Sequence, residues 1–418
     1  MGADKPQAAR QPWKGENAGM ILQEMAQGAL ALGRDLSGMT FPETIDVSSG
    51  AAARTVEFLS EKGHRNAVMA CDAATSKVAG TILLDAASSM KLDLHPVLID
   101  ANAAGDVVAD EASVVQQLLS VQQHRATAIV AAGSGTIHDL SRYAAYTASI
   151  PFVSVPTAPS VDGFTSLGAP LLIRGMKTTV SAIGPSALFA DTDLLRAAPA
   201  PLVAAGFGDM LGKFTSLLDW RIEARLGLSP YDEWAAAMTE DALESCIRHA
   251  GSIASRSAEG ITALTEALIR SGLAMLILGS SNCASGAEHH LSHYWEMELH
   301  RTGQRQLLHG AKVGAASALI SSLYKRIAAS ADGSGRYRDG EVVNAAGRKA
   351  LERHWPEIQE WIGSLPEPGR IRDWLRSVGG PVSPQELGLP EQLVENSLRE
   401  ADKVRPNRFT LLRAYNRY

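Results

Sequence analysis

The sequence contains few cysteines. Three occur among 418 residues, Cys71, Cys246 and Cys283, and no two of them form a CxxC pair. This usage argues against a disulfide framework or a thiolate metal site, and it is typical of a protein from a reducing compartment. Cys283 lies near a cluster of histidines, where we interpret it as a small buried hydrophobe and not as a metal ligand.

Long apolar runs and a surplus of positive charge are also missing. No apolar stretch approaches the ~20 residues that span a bilayer, and the polar residues 1–13 contain no apolar segment of a signal peptide. The formal net charge is -6, so neither nucleic acid nor anionic lipid is expected as a main partner. We therefore expect a cytoplasmic protein that acts on a small molecule and does not insert into membranes.

Up to about residue 200, short apolar segments alternate with helical patterns. The segments RNAVMACD, HPVLID, ATAIVAAG and IPFVSVPT predict β-strands, and apolar residues at helical spacing separate them. This alternation predicts a parallel sheet covered by helices, which binds ligands at the carboxyl ends of its strands. The following segment PLLIRGMKTTVSAI predicts a β-hairpin that turns at Gly175-Met176.

A segment rich in Pro and Ala, residues 197–206, is interpreted as a boundary, because almost all later patterns are helical. The chain is also longer than one compact core usually holds. We therefore expect a partly disordered N-terminal extension over residues 1–40. An α/β dinucleotide-binding domain would follow over residues 41–200, and a helical metal- and substrate-binding domain over residues 201–418.

A glycine-rich turn follows the third predicted strand, at Gly133-Ser134-Gly135-Thr136. Glycine lets the backbone approach a phosphate closely, and the N-terminus of the next helix favours an anion. Glycine that serves only the turn is an equally compatible interpretation. Asp72 ends the first strand, where a carboxylate either accepts hydrogen bonds from ribose hydroxyls or caps a helix.

A polar loop, SVPTAPSVDGFTS, occupies residues 154–166 after the fourth strand. Its place at the carboxyl end of a strand favours contact with a cofactor or a substrate. The alternative is a solvated turn, since Pro156 and Pro159 both favour one.

Three histidines and one acid suggest a metal site. His289 and His293 are four residues apart and share one face of a helix, whereas His290 points ~100° away from His289. Asp209 is expected at a helix start and His309 just before another helix. One carboxylate and two imidazoles suit a divalent metal with positions left open for substrate. The alternatives are caps for Asp209 and His309, and surface or core positions for the histidines.

Together, AAGSGTIHD, SVPTAPSVDGFTS, GFGDMLGKFTSLLDW, SGAEHHLSHYWEM and LLHGAKVG resemble, in this order, the sn-glycerol-1-phosphate dehydrogenases, above all their bacterial branch. That family belongs to one superfamily with the iron-containing alcohol dehydrogenases, glycerol dehydrogenase and 3-dehydroquinate synthase. The resemblance spans residues 72–314. It implies a Rossmann-like α/β domain with a parallel sheet, followed by an all-α C-terminal domain, as in dehydroquinate synthase.

The resemblance also implies roles for single residues. Asp209, His289 and His309 would bind the metal, and His293 would contact the substrate and act in catalysis together with Asp209. Asp162 and Asp209 would touch the substrate as well. Asp209 stands where dehydroquinate synthases have Glu, which favours the dehydrogenase branch.

The positions implied to hold the dinucleotide lie in the loops after the strands. They are Asp72, Gly133, Ser134, Gly135, Thr136, Ile137, Thr157, Ala158, Pro159, Ser160 and Ser166. The glycine loop reads Ala131-Ala132-Gly133, unlike the GGGS that is common in the superfamily. His290 has no inherited role and is expected beside the site or on the surface.

The implied reaction is the reversible reduction of dihydroxyacetone phosphate to sn-glycerol 1-phosphate. A divalent metal would polarise the carbonyl, NADH or NADPH would supply hydride, and His293 would relay the proton. Nickel or zinc is expected, and iron also fits. The resemblance further implies a homo-oligomer, dimeric or larger, and a place in phospholipid metabolism.

The phosphate of the substrate needs cationic groups, for which Lys213, Arg174 and Lys177 are weak candidates. Alternatives to the implied function are a glycerol dehydrogenase or another metal-dependent alcohol dehydrogenase or dehydroquinate synthase-like enzyme of the same fold. A nucleotide-binding relative without catalysis is a further alternative.

Overall fold

The computed structural model describes residues 19–330 and 345–417. The first half of the described chain alternates strands with helices, and the second half is helical. The elements are α1 Met20–Ala31, β1 Thr44–Ser48, α2 Ala51–Glu61, β2 Asn66–Cys71, α3 Thr81–Met90, β3 Asp93–Leu98, α4 Glu111–His124, β4 Ala128–Gly133, α5 Gly135–Ala148, β5 Phe152–Pro156, β6 Gly168–Ile173, β7 Met176–Ser181, β8 Ala187–Asp191, α6 Thr192–Ala197, α7 Ala200–Leu211, α8 Lys213–Arg225, α9 Glu233–Arg248, α10 Ala250–Ala254, α11 Ala258–Leu278, α12 Ala287–Arg301, α13 His309–Ala329, α14 Ala345–Ser364, α15 Pro368–Ser377, α16 Glu391–Glu400 and α17 Leu411–Arg417.

Six parallel strands form the main sheet, in the order β1-β8-β5-β4-β2-β3. Strands β4 and β5 are buried along their whole length, because α2 and α3 pack on one face of the sheet while α4 and α5 pack on the other. Sheets covered on both faces need continuous apolar strands, which is what these sequences supply. The α/β fold with helices in the C-terminal half is confirmed.

The sheet contains a switch point between β2 and β4. The chain leaves β2 outward to β3 and then returns to the other side of β2 as β4. Loops on the two sides of such a point diverge and leave a crevice at the carboxyl ends of the strands. Asp72 follows β2 and Ser134 follows β4, so both predicted dinucleotide loops flank this crevice.

One local prediction is wrong. The hairpin of β6 and β7 turns at Arg174-Gly175, one residue earlier than predicted, and both residues have positive φ angles (51° and 74°), as a tight hairpin turn requires. Residues 200–206, predicted as part of a boundary, begin helix α7. Proline in a first helical turn costs little, since its missing N–H has no intrahelical partner there.

The helical half has two apolar cores. One joins α7, α9 and α11 to α1 through residues such as Leu22 and Met25, and the other joins α8, α12 and α13 to the C-terminal helices. In the part of the predicted extension that the structure describes, residues 20–31 form a packed helix, α1. Residues 1–18, where disorder is also predicted, lie outside the described residues. The domain boundary near residue 200 stays a prediction.

Helix α11 is the one described helix that is long and apolar enough to cross a membrane by composition alone. In its most apolar window, 72% is buried inside the protein. The helix packs against α7, α9 and α10, and a buried core helix passes the same length and hydropathy test.

Candidate active site

The structure brings Asp209, His289 and His309 together. One ligand atom from each lies within 4.8 Å of the others, and His289 Nε2 is 3.6 Å from Asp209 Oδ1. They come from the last turn of α7, the first turn of α12 and the first residue of α13. Asp209 was predicted at a helix start, but it lies near the end of α7 and is not an N-cap. An Asp and two His in this arrangement fit a divalent metal.

Glycines explain why α7 and α13 come so close. A Cβ added to Gly310 would lie 1.9 Å from the carbonyl oxygen of Ala205, and one added to Gly208 would lie 2.5 Å from the carbonyl oxygen of Gly310. The two helices are therefore in backbone contact, which no larger residue permits. This contact sets Asp209 beside His309.

Glu288 orients the ligand His289. Its buried carboxylate lies 2.7 Å from His289 Nδ1, and it accepts hydrogen bonds from the Gly286 amide (2.6 Å) and the Thr215 hydroxyl (2.5 Å). A carboxylate here favours the proton on Nδ1, which leaves the Nε2 lone pair for a metal. Sequence reasoning missed this residue, although its position directly before the first histidine of the pair was a signal.

A buried lysine lies behind the metal ligands. Lys213 Nζ is 2.7 Å from Asp162 Oδ2 and 3.4 Å from Asp209 Oδ1, and it donates to the Ala284 carbonyl (3.1 Å). Burial lowers the pKa of Lys213, but the charges of Asp162 and Asp209 outweigh it and raise that pKa overall. Lys213 is thus fully engaged and is not available to a substrate phosphate.

The two aspartates are coupled. The backbone amide of Asp162 donates to Asp209 Oδ2 (3.0 Å), and the Ser271 hydroxyl donates to Asp162 Oδ2 (2.8 Å). Burial, together with the Asp162 charge, raises the pKa of Asp209 to about 7, against the opposing effect of Lys213. Asp162 therefore borders the metal position, next to where a substrate would sit.

His293 faces the same centre. Its ring centroid lies 6.1 Å from that of His289 and 5.9 Å from that of His309. Burial lowers the pKa of all three imidazoles well below their ordinary value, and the Lys177 charge lowers it further. Neutral imidazoles are the form that binds metals.

His290 is not on the surface. Its side chain is fully buried, and neither ring nitrogen has a hydrogen-bond partner within the part of the chain that the structure describes. Burial, with the charges of Arg405 and Arg408, lowers the pKa of His290 well below its ordinary value. It is a neutral core residue beside the site.

The glycine-rich turn has the geometry of an anion site. Helix α5 begins at Gly135, so the amides of its first turn have no intrahelical acceptor and point toward the crevice. A Cβ on Gly133 would lie 2.6 Å from the Ile137 side chain, so that position requires glycine. Ser134 Oγ is 2.6 Å from Ser160 Oγ, which ties this turn to the polar loop.

The other predicted cofactor positions occupy the same region. The Thr157 amide donates to the Gly133 carbonyl (3.0 Å), and Ser166 Oγ donates to the Gly163 carbonyl (3.2 Å). Within the polar loop, Thr157, Ala158, Pro159, Ser160 and Ser166 are all buried, whereas Thr136 on α5 is partly exposed. The loop is therefore not a solvated turn.

Asp72 caps the turn that directly follows β2. Its Oδ1 accepts from the amides of Ala74 and Thr75, both at 2.8 Å. The capping alternative is thus realised. Because those contacts use one carboxylate oxygen, a ribose contact by the other oxygen stays a prediction.

Two residues that sequence reasoning missed hold these loops. His138 lies 2.9 Å from the Ser134 carbonyl through Nδ1 and 2.7 Å from the Ser154 hydroxyl through Nε2, and burial lowers its pKa to about 3. The buried Arg142 guanidinium donates to the carbonyls of Gly163 (2.5 Å) and Gly168 (2.7 Å). The contacts of His138 with Ser154 and of Arg142 with Gly163 and Gly168 join residues 16 to 26 positions apart, so no local pattern signals them.

The hairpin cations differ in their surroundings. Lys177 Nζ is 2.7 Å from Glu296, which also receives Lys312 at 3.0 Å. Arg174 is exposed at the hairpin turn. Neither is an unpaired cation beside the metal position.

Comparisons with known proteins agree with this architecture. The family model described as "Iron-containing alcohol dehydrogenase" matches residues 46–199. The chain is similar to a probable glycerol dehydrogenase from Sinorhizobium meliloti 1021, with a TM-score of 0.65 at 18% identity, covering 90% of this chain and 92% of that chain. It is also similar to NADH-dependent butanol dehydrogenase A from Thermotoga maritima, with a TM-score of 0.64 at 14% identity over 88% of this chain and 90% of that one. At these identities the two structures support the fold alone.

Curated relatives are more similar in sequence. The chain is 44% identical over 370 residues to the glycerol-1-phosphate dehydrogenase [NAD(P)+] of Geobacillus stearothermophilus, covering 88% of this chain and 91% of the relative. The enzyme of the same name from Bacillus subtilis (strain 168) is 43% identical, with 90% and 91% covered. One from Methanosarcina mazei is 32% identical, with 69% and 68% covered.

Proposed function

Because the chain belongs to the family of glycerol-1-phosphate dehydrogenases, we propose that it interconverts dihydroxyacetone phosphate and sn-glycerol 1-phosphate as an NAD(P)-dependent oxidoreductase. The observation that carries this proposal is the convergence of Asp209, His289 and His309 within 4.8 Å. His293 faces the same centre, so a metal and a proton-carrying group would meet one substrate.

The donor set fits a metal. Asp209, His289 and His309 are one carboxylate and two neutral imidazoles, and His289 is oriented by Glu288, as expected for a ligand with a supporting carboxylate. When bound, the metal supplies Lewis-acid polarisation of the substrate carbonyl. We propose nickel or zinc, with iron as a further candidate, because an Asp and two His accommodate all of them.

His293 would move the proton. It is buried, neutral and directed at the metal position. A neutral imidazole can accept a proton at one ring nitrogen and donate from the other, directly or through water. Asp162, joined to Asp209 through its backbone amide, would line the substrate position.

The dinucleotide would occupy the crevice at the switch point. The first-turn amides of α5 would hold its pyrophosphate, the loop of residues 157–166 would cover it, and Asp72 would contact its adenosine ribose. The cofactor supplies the hydride. We leave NAD and NADP as equal candidates, and we further propose a homo-oligomer, a cytoplasmic location, a role in phospholipid metabolism and a domain boundary near residue 200.

The test is loss of NADH or NADPH absorbance with dihydroxyacetone phosphate, on protein loaded with nickel or zinc and on a chelated sample. Fast oxidation that the chelator abolishes supports the proposal. Glycerol and dihydroxyacetone as parallel substrates separate it from a glycerol dehydrogenase. Asp209→Ala should lose metal and turnover together, and full activity with full metal content in that variant would refute the assignment.

A further inference from the structure

Two arginines from the C-terminal segment converge on the loop before α12. Arg405 donates to the hydroxyls of Ser285 (3.0 Å) and Ser281 (3.3 Å). Arg408 donates to the Ser285 carbonyl (2.9 Å) and to the same Ser281 hydroxyl (3.3 Å). Two guanidinium groups thus share one hydroxyl as a hydrogen-bond acceptor.

These two charges have no direct counter-ion. Across residues 19–330 and 345–417, neither Arg405 nor Arg408 forms an ion pair with a carboxylate; Glu288 and Glu223 act on them only from a distance. Burial, together with repulsion from Arg408, lowers the pKa of Arg405 to about 10. A pair of like charges held together in this way is costly unless an anion binds between them.

The pair lies beside the start of the helix that carries His289. Ser285 lies two residues before α12 begins at Ala287, and His289 is in the first turn of that helix. Arg405 also reaches Thr179 on β7 (3.4 Å), so it bridges the hairpin and the helical region.

The substrate proposed above carries a phosphate close to its carbonyl. Three covalent bonds separate the carbonyl carbon from the phosphorus. If the carbonyl lies at the metal, the phosphate must therefore bind close to the metal as well. Arg405 and Arg408 are each partly exposed as residues, so their side chains are not sealed from solvent. Lys177 is a weaker candidate because its ammonium group is already held by Glu296 at 2.7 Å.

We propose that Arg405 and Arg408, with the hydroxyls of Ser281 and Ser285, bind the phosphate group of the substrate, a phosphate monoester dianion. This inference rests on the proposed function. Arginine is suited to this role because its planar fork donates two parallel hydrogen bonds to phosphate oxygens. The C-terminal segment would thereby select phosphorylated over unphosphorylated ketones.

The experiment compares kcat/KM for dihydroxyacetone phosphate and for dihydroxyacetone in the metal-loaded full chain. In Arg405→Gln and Arg408→Gln, the ratio of the two values should fall about 10- to 100-fold, the loss expected for a charge-assisted hydrogen bond. Arg376→Gln removes the same charge from an exposed position on α15 and should keep the wild-type ratio. Arg405→Lys should recover part of the loss.

A purely structural role gives a different result. If the arginines only hold the Ser281–Ser285 loop, activity on both substrates falls equally and the ratio stays unchanged, which overturns the proposal. Metal content measured on the same samples shows whether the centre is intact.

Inorganic phosphate separates failure of this site from failure of the proposed function. If the wild type does not reduce dihydroxyacetone phosphate, the function fails, and calorimetric titration with inorganic phosphate then tests the site alone. At least tenfold weaker phosphate binding in Arg405→Gln than in wild type supports the anion site. Equal binding in the two proteins, or none in either, refutes it.

Discussion

Replacing Glu288 tests how the metal centre is built. Its carboxylate is the acceptor for His289 Nδ1 at 2.7 Å and is itself held by the Gly286 amide and the Thr215 hydroxyl. Glu288→Ala leaves the ligand imidazole without an acceptor and free to change its tautomer or rotate. Loss of such a supporting contact costs 10- to 100-fold in metal affinity, which is about 1.4–2.7 kcal/mol.

Two further variants calibrate that loss. Glu288→Gln keeps an oxygen that can accept from His289 and Gly286 while removing the charge, so we expect it to weaken metal binding by less than about tenfold. Thr215→Val removes the hydrogen bond on the other carboxylate oxygen and leaves His289 untouched. It should cost only ~1 kcal/mol of stability and change metal affinity little.

The assay is competition between the metal-free protein and a chelator of known affinity, with zinc or nickel at pH 7.5. The expected order of metal affinity is wild type, then Thr215→Val, then Glu288→Gln, then Glu288→Ala. A folded Glu288→Ala that binds metal within twofold of wild type would refute the orienting role of this carboxylate.

Three other predictions concern the glycine contact, the ligand carboxylate and the loop clamp. Gly310→Ala should lower Tm and metal content, because its Cβ would lie 1.9 Å from a carbonyl oxygen and overpacking costs ~1–3 kcal/mol. Gly363→Ala is the control, since a Cβ there meets nothing within 4 Å, and it should keep the wild-type Tm and metal content. Equal Tm and metal content in the two variants would contradict the close-contact argument. Metal affinity should fall about tenfold per pH unit below pH 7, because burial raises the pKa of Asp209 to about 7 and the metal must then displace the carboxyl proton. Calorimetric titration with the metal from pH 5.5 to 8 measures this, and a metal affinity that does not change with pH would contradict it. Arg142→Met leaves buried carbonyl acceptors and Asp139 unpaired. It should therefore destabilise the protein by ~3–5 kcal/mol and raise KM for the dinucleotide. An unchanged KM would show that Arg142 does not support the cofactor loop.

Much of the fold followed from local patterns. Apolar runs such as ATAIVAAG became fully buried strands, and helical spacing marked α4 and α5 within a few residues, because periodicity records which side of an element is buried. The metal-binding residues were named from short motifs with fixed spacing. The pair His289 and His293 shares a face on any helix, whatever the rest of the chain does.

The sequence by itself thus determined the class of fold, the family and the identity of Asp209, His289 and His309 as candidate ligands. Tertiary structure alone decided that Lys213 is buried against two carboxylates, that Arg142 clamps a loop on another element, and that Arg405 returns to the site from 120 residues beyond Ser285. The physical reason is that periodicity and motif spacing describe neighbours along the chain. Ion pairs and hydrogen bonds between distant segments depend on how closely helices pack, and glycine contacts such as that of Gly310 with Ala205 set that distance only once the chain has folded.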